Sequence, residues 1–279
     1  MDLIPEPAPN IRQLLAFYLE SGVDCTLAEE PVDRLAEPDI PAAPASVREP
    51  ATLRPAREMP SATPAVPRSE IAPAPETAIA SAREAARTAP TLEALRALLE
   101  TFEGCALRNT ATRLVFADGN PEARIMFVGE APGRDEDIEG LPFVGRSGKL
   151  LDRMIAAIGL DRSKAYIANV IPWRPPGNRT PTPQETQICL PFIQRQIELV
   201  NPEVLVTLGN PSTQTLLSTR EGIMKTRGKW LDYDTGTRTI RAMATFHPAY
   251  LLRSPSYKRM SWQDLRAIAK ALEQVQSSS

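Results

Sequence analysis

The chain has 279 residues, and 42% of them are hydrophobic, which is enough for a sizeable core. The formal net charge is −2, but residues 1–90 carry −6 and residues 91–279 carry +4, so the C-terminal part can face a polyanion. Three scattered cysteines exclude a disulfide framework, and neither a signal peptide nor a run of about 18 apolar residues is found, so we expect a cytoplasmic monomer.

The first 90 residues divide into two predicted segments. Residues 10–28 repeat apolar side chains at helical spacing, which predicts one amphipathic helix within an N-terminal region of residues 1–30. We expect this helix to dock on the folded domain or to bind a protein partner. Residues 31–90 hold 12 of the 28 prolines and 16 alanines but no glycine, cysteine or aromatic residue, a composition that predicts a disordered linker.

Residues 91–279 are predicted to form one folded domain in which helices and strands alternate. The predicted helices cover residues 91–102, 149–160, 183–200, 211–217 and 262–275, and the predicted strands cover residues 124–128, 165–171, 203–209 and 239–246. Such alternation predicts a three-layer α/β/α fold with a central, mainly parallel four-stranded sheet. The loops at the carboxyl ends of parallel strands build the site in folds of this kind.

Three of these loops carry unusual residues: GEAPGRDEDIEGLPFVG (129–145), NVIPWRPPGNR (169–179) and HPAYLLR (247–253), which contains the only histidine. We expect Glu130, Asn169 and His247 to meet at one edge of the sheet. The turn GEAPG can cradle a phosphate or be purely structural, because it lacks the Lys-Ser/Thr of a P-loop and the spacing of a dinucleotide fingerprint. The acidic run that follows it can bind a metal or lie in solvent.

Taken together, these motifs resemble the uracil-DNA glycosylase superfamily, and most closely its family 4. The resemblance runs from about residue 92 to the C-terminus, with the motifs in the same order. The matching segments are GEAPGRDED (129–137), LPFVGRSGKLL (141–151), IANV (167–170), RPPGNRTPTPQE (174–185), VLVTLG (204–209) and HPAYLLR (247–253).

The resemblance implies a pocket that receives a uracil flipped out of DNA. Phe143 is then the stacking platform, although a phenylalanine beside a loop is more often a core residue. The amide of Asn169 matches O4 and N3–H of uracil, whereas a strand-end asparagine can instead cap a turn. A neutral His247 donates an N–H to O2, where negative charge develops.

Water handling and DNA contacts follow from the same resemblance. Ala131 stands where the best-known branch has an aspartate, and the family 4 resemblance implicates Glu130, one residue earlier, in holding or activating the water. Glu136 lies where the family places a carboxylate near the C5 edge of the base.

The DNA-binding residues implied are Leu251 and Leu252 as a wedge, with Arg253 and Lys258 on phosphates. Alternatively, the two leucines are simply buried at the start of the final helix.

One departure from the family concerns its iron-sulfur cluster. Family 4 members usually hold a 4Fe-4S cluster on four cysteines, and here those positions read Phe102, Cys105, Trp173 and Cys189. Two thiolates are too few, so we expect no cofactor and no metal, but an apolar plug of aromatic rings with two small buried thiols. Cys25 supplies a third thiol only if the N-terminal helix folds across.

Three functions are compatible with these features. The first is a glycosylase that hydrolyses the N-glycosidic bond of uracil in DNA, and turnover is expected because WRPPGNRTPTP lacks the histidine with which one related branch binds its product covalently. The second is a non-catalytic DNA-binding relative with a vestigial pocket. The third is a metal-dependent hydrolase of nucleotide phosphates that uses the acidic loop.

Overall fold

The computed structural model describes residues 75–276, with side chains over residues 76–274. The predicted N-terminal helix and most of the predicted linker lie outside the described residues. Ten α-helices are described: α1 (Pro75–Thr88), α2 (Leu92–Thr101), α3 (Leu107–Thr110), α4 (Arg134–Glu139), α5 (Arg146–Ala156), α6 (Pro183–Val200), α7 (Asn210–Leu216), α8 (Ile223–Thr226), α9 (Pro248–Arg253) and α10 (Lys258–Gln276). None of these described helices combines the length and hydropathy needed to cross a lipid bilayer.

One mixed sheet of six strands forms the centre of the described domain, in the order β1-β3-β2-β4-β6-β5. Its strands are β1 (Asp118–Gly119), β2 (Ile125–Gly129), β3 (Tyr166–Asn169), β4 (Val204–Leu208), β5 (Trp230–Asp234) and β6 (Thr239–Thr245). The four predicted strands are confirmed as the parallel centre, formed by β3, β2, β4 and β6. Both edge strands are antiparallel additions, so the predicted count of four is corrected to six.

The two edge strands escaped prediction for physical reasons. β1 has only two residues, which is too short for any periodic pattern. β5, with the sequence WLDYD, carries two aspartates and buries one of its five residues, as expected of an edge strand that stays partly in solvent.

Helices cover both faces of the sheet, which confirms the three-layer α/β/α architecture. Successive residues of β2 point to opposite faces, so Met126 and Val128 join the core beneath α1, α2 and α6, whereas Ile125 and Phe127 join the core beneath α5 and α10. All residues of β2, β3 and β4 are buried, as expected of parallel strands covered on both sides.

Helix α6 has the predicted bounds because its ends are encoded locally. The side chain of Thr182 accepts a hydrogen bond from the Glu185 N–H, and the Glu185 carboxylate accepts one from the Thr182 N–H, which forms a capping box. Asn201 ends the helix in the left-handed conformation (φ 50°). The prediction succeeded here because start and stop signals lie within a few residues of the helix.

Helix α1 corrects the C-terminal end of the predicted linker, which was drawn to residue 90. Ala78, Ala82 and Ala86 follow one another at four-residue spacing and are buried against α6. Alanine is the strongest helix former, and its small side chain permits close helix packing. A composition rich in proline and alanine concealed this periodic alanine stripe.

Candidate active site

The carboxyl ends of the parallel strands meet at one edge of the sheet, as predicted. Gly129 at the end of β2 is paired with Asn169 at the end of β3, and His247 follows β6 after one residue. A cavity of about 340 Å³ opens there, within the usual size range of ligand pockets. It is lined by seven of the predicted site residues, namely Glu130, Ala131, Glu136, Phe143, Asn169, His247 and Arg253.

Phe143 forms one wall of this cavity from an unusual backbone conformation. Its φ is +55°, a left-handed value that is uncommon for a bulky residue and is held by its surroundings. The ring centroid lies 5.5 Å from that of His247, with 31° between the ring planes. Gly148 makes the conformation possible, because a Cβ there would lie 1.6 Å from the carbonyl oxygen of Phe143.

Asn169 presents an unpaired polar atom in the same cavity. Its side chain is buried, and its Oδ1 has no hydrogen-bond partner among the described residues. A buried acceptor left unpaired costs about 1–3 kcal/mol, so the site favours a ligand that brings a donor. Gly129 keeps this end of the strand open, since a Cβ there would lie 2.4 Å from Asn169 Oδ1 and 2.6 Å from Phe143 Cζ.

His247 is held as a neutral donor by its place at the start of α9. Its Nδ1 accepts a hydrogen bond from the Ala249 N–H at 3.1 Å, which caps the helix and places the ring proton on Nε2. Burial, and then the positive charge of Arg253, lowers the pKa of His247 to about 4. The imidazole therefore offers one N–H and no positive charge at neutral pH.

Glu130 lines the cavity, and its carboxyl has a raised pKa. It is half-buried, and burial raises the pKa of its carboxyl above the usual value. Within the described chain no hydrogen bond or ion pair occupies this carboxylate. Ala131 contributes only a methyl group to the wall, so Glu130 is the carboxylate available to a water molecule here.

Glu136 lines the cavity as predicted, but its carboxylate is engaged by the loop. Oε2 accepts a hydrogen bond from the Gly133 N–H, and Oε1 accepts from Val144 and Gly145, each at 3.1 Å. The carboxylate therefore ties together the two ends of the loop that carries Phe143. Its contacts describe a loop clamp, and a role toward the base edge stays a prediction.

The acidic run does not gather around one point as a metal site would. Asp137 turns away from the cavity and accepts hydrogen bonds from the Thr112 N–H, the Thr112 hydroxyl and the Arg113 N–H. Over residues 76–274 no cluster of three histidine, cysteine, aspartate or glutamate side chains is placed to hold a metal ion. Asp137 and Glu136 thus act as loop clamps.

The predicted leucine wedge is corrected for one of its two members. Leu251 is 1% exposed and packs in the core beneath α5 and α10, so it is not available to enter a base stack. Leu252 is 38% exposed, because neighbouring residues of a helix point about 100° apart. Arg253 at the end of α9 and Lys258 at the start of α10 are exposed, as phosphate contacts require.

The four positions that the resemblance assigns to a cluster all lie in the hydrophobic core on the α6 side of the sheet. Phe102, Cys105, Trp173 and Cys189 are all buried, and the two sulfur atoms lie 3.9 Å apart. The Phe102 ring packs edge-on against Phe192, with 4.9 Å between ring centroids. Two thiols among aromatic rings do not fit a cluster that needs four thiolate ligands. Cys25 lies outside the described residues.

Sequence reasoning missed residues that hold the cavity without any motif of their own. Arg162, in a short 3₁₀ turn before β3, donates hydrogen bonds to the carbonyl oxygens of Pro142 and Phe143 and forms ion pairs with Asp118 and Asp152. It connects the Phe143 loop to the sheet edge across 19 residues of sequence. No local pattern signals such a contact.

The proline-rich loop after β3 supplies the remaining wall of the cavity, through Pro175, Asn178, Arg179, Thr180 and Pro181. The Arg179 guanidinium pairs with the Glu185 carboxylate at 2.6 Å, which ties the loop to the first turn of α6. The loop was predicted from sequence, but none of its residues was predicted to line the cavity.

Comparisons with known proteins agree with this geometry. The family described as "Uracil DNA glycosylase superfamily" matches residues 116–266. A type-4 uracil-DNA glycosylase of Archaeoglobus fulgidus is 41% identical over 170 residues, which covers 60% of this chain and 85% of the relative. Those of Saccharolobus solfataricus and Thermotoga maritima are 42% and 44% identical, over 80% and 78% of their own lengths. The chain belongs to the uracil-DNA glycosylase superfamily.

Proposed function

We propose that the protein is a DNA repair enzyme that hydrolyses the N-glycosidic bond between uracil and deoxyribose in DNA and leaves an abasic site. One observation carries the proposal: the unpaired Oδ1 of Asn169, the ring of Phe143 and the neutral imidazole of His247 line the same cavity. The relatives named type-4 uracil-DNA glycosylase support the same activity.

The cavity is suited to a uracil that has left the base stack. Stacking on Phe143 offsets part of the cost of extruding the base. Asn169 Oδ1 accepts a hydrogen bond from N3–H, and the amide N–H donates to O4. Cytosine lacks N3–H and has a donor in place of O4, so the same amide disfavours it.

Bond cleavage follows from the charges that His247 and Glu130 can support. As the bond between C1′ and N1 breaks, its electron pair moves into the uracil ring, and the Nε2–H of His247 donates to the O2 that becomes negative. A water oxygen bonds to C1′, and Glu130 accepts the proton that this water loses. The products are an abasic sugar and a uracil anion, which takes up a proton from solvent while Glu130 releases its own to solvent.

A uracil-containing oligonucleotide incubated with the full chain in EDTA, and then treated with alkali, tests this function. We expect strand breaks at the uracil position and release of free uracil, whereas a thymine-containing oligonucleotide should stay intact. Binding without release of uracil would instead indicate a non-catalytic DNA-binding relative. Activity that appears only with magnesium would indicate a phosphate hydrolase.

The packing around Cys105 and Cys189 supports a second part of the proposal, that the enzyme works without an iron-sulfur cluster. Both thiols are fully buried, and so are Phe102 and Trp173, which stand at the other two positions that the resemblance assigns to cluster ligands. Iron analysis of anaerobically purified protein, together with visible absorbance, tests this point. We expect no stoichiometric iron, and four iron atoms per chain would overturn it.

A further inference from the structure

A second cleft opens directly beside the cavity that Asn169, Phe143 and His247 line, which we name the base cavity. It has a volume of about 530 Å³ and is bordered by three arginines: Arg134 at the start of α4, Arg146 at the start of α5 and Arg253 at the end of α9. Leu252, the exposed member of the leucine pair, lies at its edge. The cleft is therefore a basic groove with one apolar tip.

The three guanidinium groups have no partner of their own. All three side chains are exposed, and within the described chain none of them makes a hydrogen bond or an ion pair. By contrast, Arg162, Arg179 and Arg227 are each paired with a carboxylate. The arginines of the cleft keep their full donor capacity for a ligand.

Two acidic residues also line the cleft, but they do not neutralise it. The Glu136 carboxylate is already engaged by three backbone N–H groups. Asp135 is the remaining acid, so the cleft carries three guanidinium groups against one free carboxylate. An anionic ligand is favoured, and the planar fork of arginine suits phosphate oxygens in particular.

The cleft and the base cavity are adjacent. They share Glu136, Ser147, Asn178, Ala249 and Arg253. Ser147 and Ala249 are small, which leaves room for a sugar between a base in the cavity and a phosphate in the cleft. Two adjacent sites that share lining residues suit a nucleotide, whose base and phosphate are joined through a sugar.

We propose that this cleft, which we name the arginine cleft, binds a backbone phosphodiester next to the flipped nucleotide, with Arg134 and Arg146 as phosphate ligands besides Arg253. The proposal rests on the proposed function, because the base cavity sets the position of the nucleotide. A phosphate held there draws the sugar toward the cavity while Leu252 faces the gap that the flipped base leaves. Contacts of this kind position the strand and carry no sequence information.

Neutral phosphate replacement tests the arginine cleft at single positions. A series of oligonucleotides, each with one methylphosphonate near a 2′-fluorodeoxyuridine that resists cleavage, is titrated with the full chain and with Arg134→Gln and Arg146→Gln. We expect one replacement to weaken binding by the original chain about tenfold to a hundredfold, as for loss of a charged hydrogen bond. The same replacement should cost each variant much less.

Salt dependence gives an independent measurement. Each of the two variants should lower the slope of log binding constant against log salt concentration by about one. Arg153→Gln is the matched control, because Arg153 is exposed on α5 but does not border the cleft. It should keep both the slope and the sensitivity to the methylphosphonate.

The outcomes separate this inference from the proposed function. Suppose that the original chain releases uracil, but that every methylphosphonate weakens binding by Arg134→Gln and Arg146→Gln as much as it weakens binding by the original chain. The proposal that the arginine cleft binds a phosphate is then wrong, and the proposed glycosylase activity is retained. If no uracil is released from an ordinary substrate, the function itself fails. An unchanged thermal midpoint in both variants excludes loss of folding, since neither side chain has a partner in the described chain.

Discussion

At the scale of single residues, His247 joins two tasks that can be separated by substitution. Its Nδ1 caps α9, and its ring lines the cavity with the proton on Nε2. His247→Ala removes both functions, whereas His247→Asn retains a side-chain acceptor for the cap but is too short to replace Nε2.

We therefore expect the two variants to differ in stability but not in rate. Both should lower kcat by about 10²- to 10³-fold, as for loss of a donor to developing negative charge. Only His247→Ala should also lose about 0.5–2 kcal/mol of unfolding free energy. Single-turnover kinetics and chemical denaturation measure the two effects, and an alanine variant as fast as the original would refute the role of the imidazole.

The low pKa of His247 predicts a pH dependence of stability. Its folded-state pKa is about 4, against 6.5 for an ordinary histidine, so the unfolded chain takes up a proton first as pH falls. The free energy of unfolding should therefore decline between pH 6.5 and 4, by up to about 3 kcal/mol from this group. Denaturation of His247→Asn over the same range should lack this part of the decline.

Glu130 predicts a separate effect, on rate. Its carboxylate form accepts the proton in the proposed reaction, and burial raises its pKa. The rate should fall as pH drops through that raised value, while the histidine is still neutral. Glu130→Gln should be slower at neutral pH and should lose this acidic limb of the profile, which single-turnover rates from pH 4.5 to 8 will show.

At the scale of elements, the loop between β2 and α5 depends on residues outside it. Arg162 holds the carbonyl oxygens of Pro142 and Phe143, and its ion pairs with Asp118 and Asp152 fix the guanidinium itself. Arg162 is a positioning residue, because it acts on the base only through Phe143.

Arg162→Lys keeps the charge but cannot reach four acceptors at once. We expect inhibition by free uracil to weaken about tenfold, and kcat/KM to fall by a similar factor, because the stacking wall is no longer held. Arg153→Lys, an exposed change on α5, should leave both unchanged. If uracil inhibits the Arg162 variant as strongly as the original chain, the clamp does not position Phe143.

At the scale of the whole described domain, an ion pair ties α10 to the turn between α8 and β5, and a hydrogen bond ties α10 to β6. Asp264 accepts hydrogen bonds from Arg227 and from the Thr245 hydroxyl, and Arg227 also donates to the Met260 carbonyl oxygen. Asp264 is 2% exposed, so its removal leaves the partly buried Arg227 without a charge partner.

Asp264→Ala should lose about 3–5 kcal/mol of unfolding free energy, as expected when one partner of a buried pair is removed. The control is Glu100→Ala, which breaks the exposed pair with Arg96 and should cost less than about 1 kcal/mol. Chemical denaturation at pH 7 measures both. Equal losses in the two variants would contradict the structural importance of the buried pair.

The sequence by itself determined the features that depend on neighbouring residues. Strand runs such as IMFVG, the capping signals around α6 and the ordered motifs of the loops lie within short windows, so the parallel centre of the sheet and seven cavity residues were predictable. The sequence also shows Phe102 and Trp173 at two of the positions that the resemblance assigns to cluster cysteines, and the absence of a cluster stays a prediction.

Only the tertiary structure decided which side of an element faces the core and which distant groups meet. In the folded chain Leu251 is buried and Leu252 is exposed. The alanines of α1, which the sequence placed in a linker, pack on α6. The tertiary structure also brought Arg162 to the backbone of Phe143 and left Arg134 and Arg146 unpaired beside the cavity. Burial and long-range contacts set these outcomes, and both depend on the whole folded chain rather than on any local pattern.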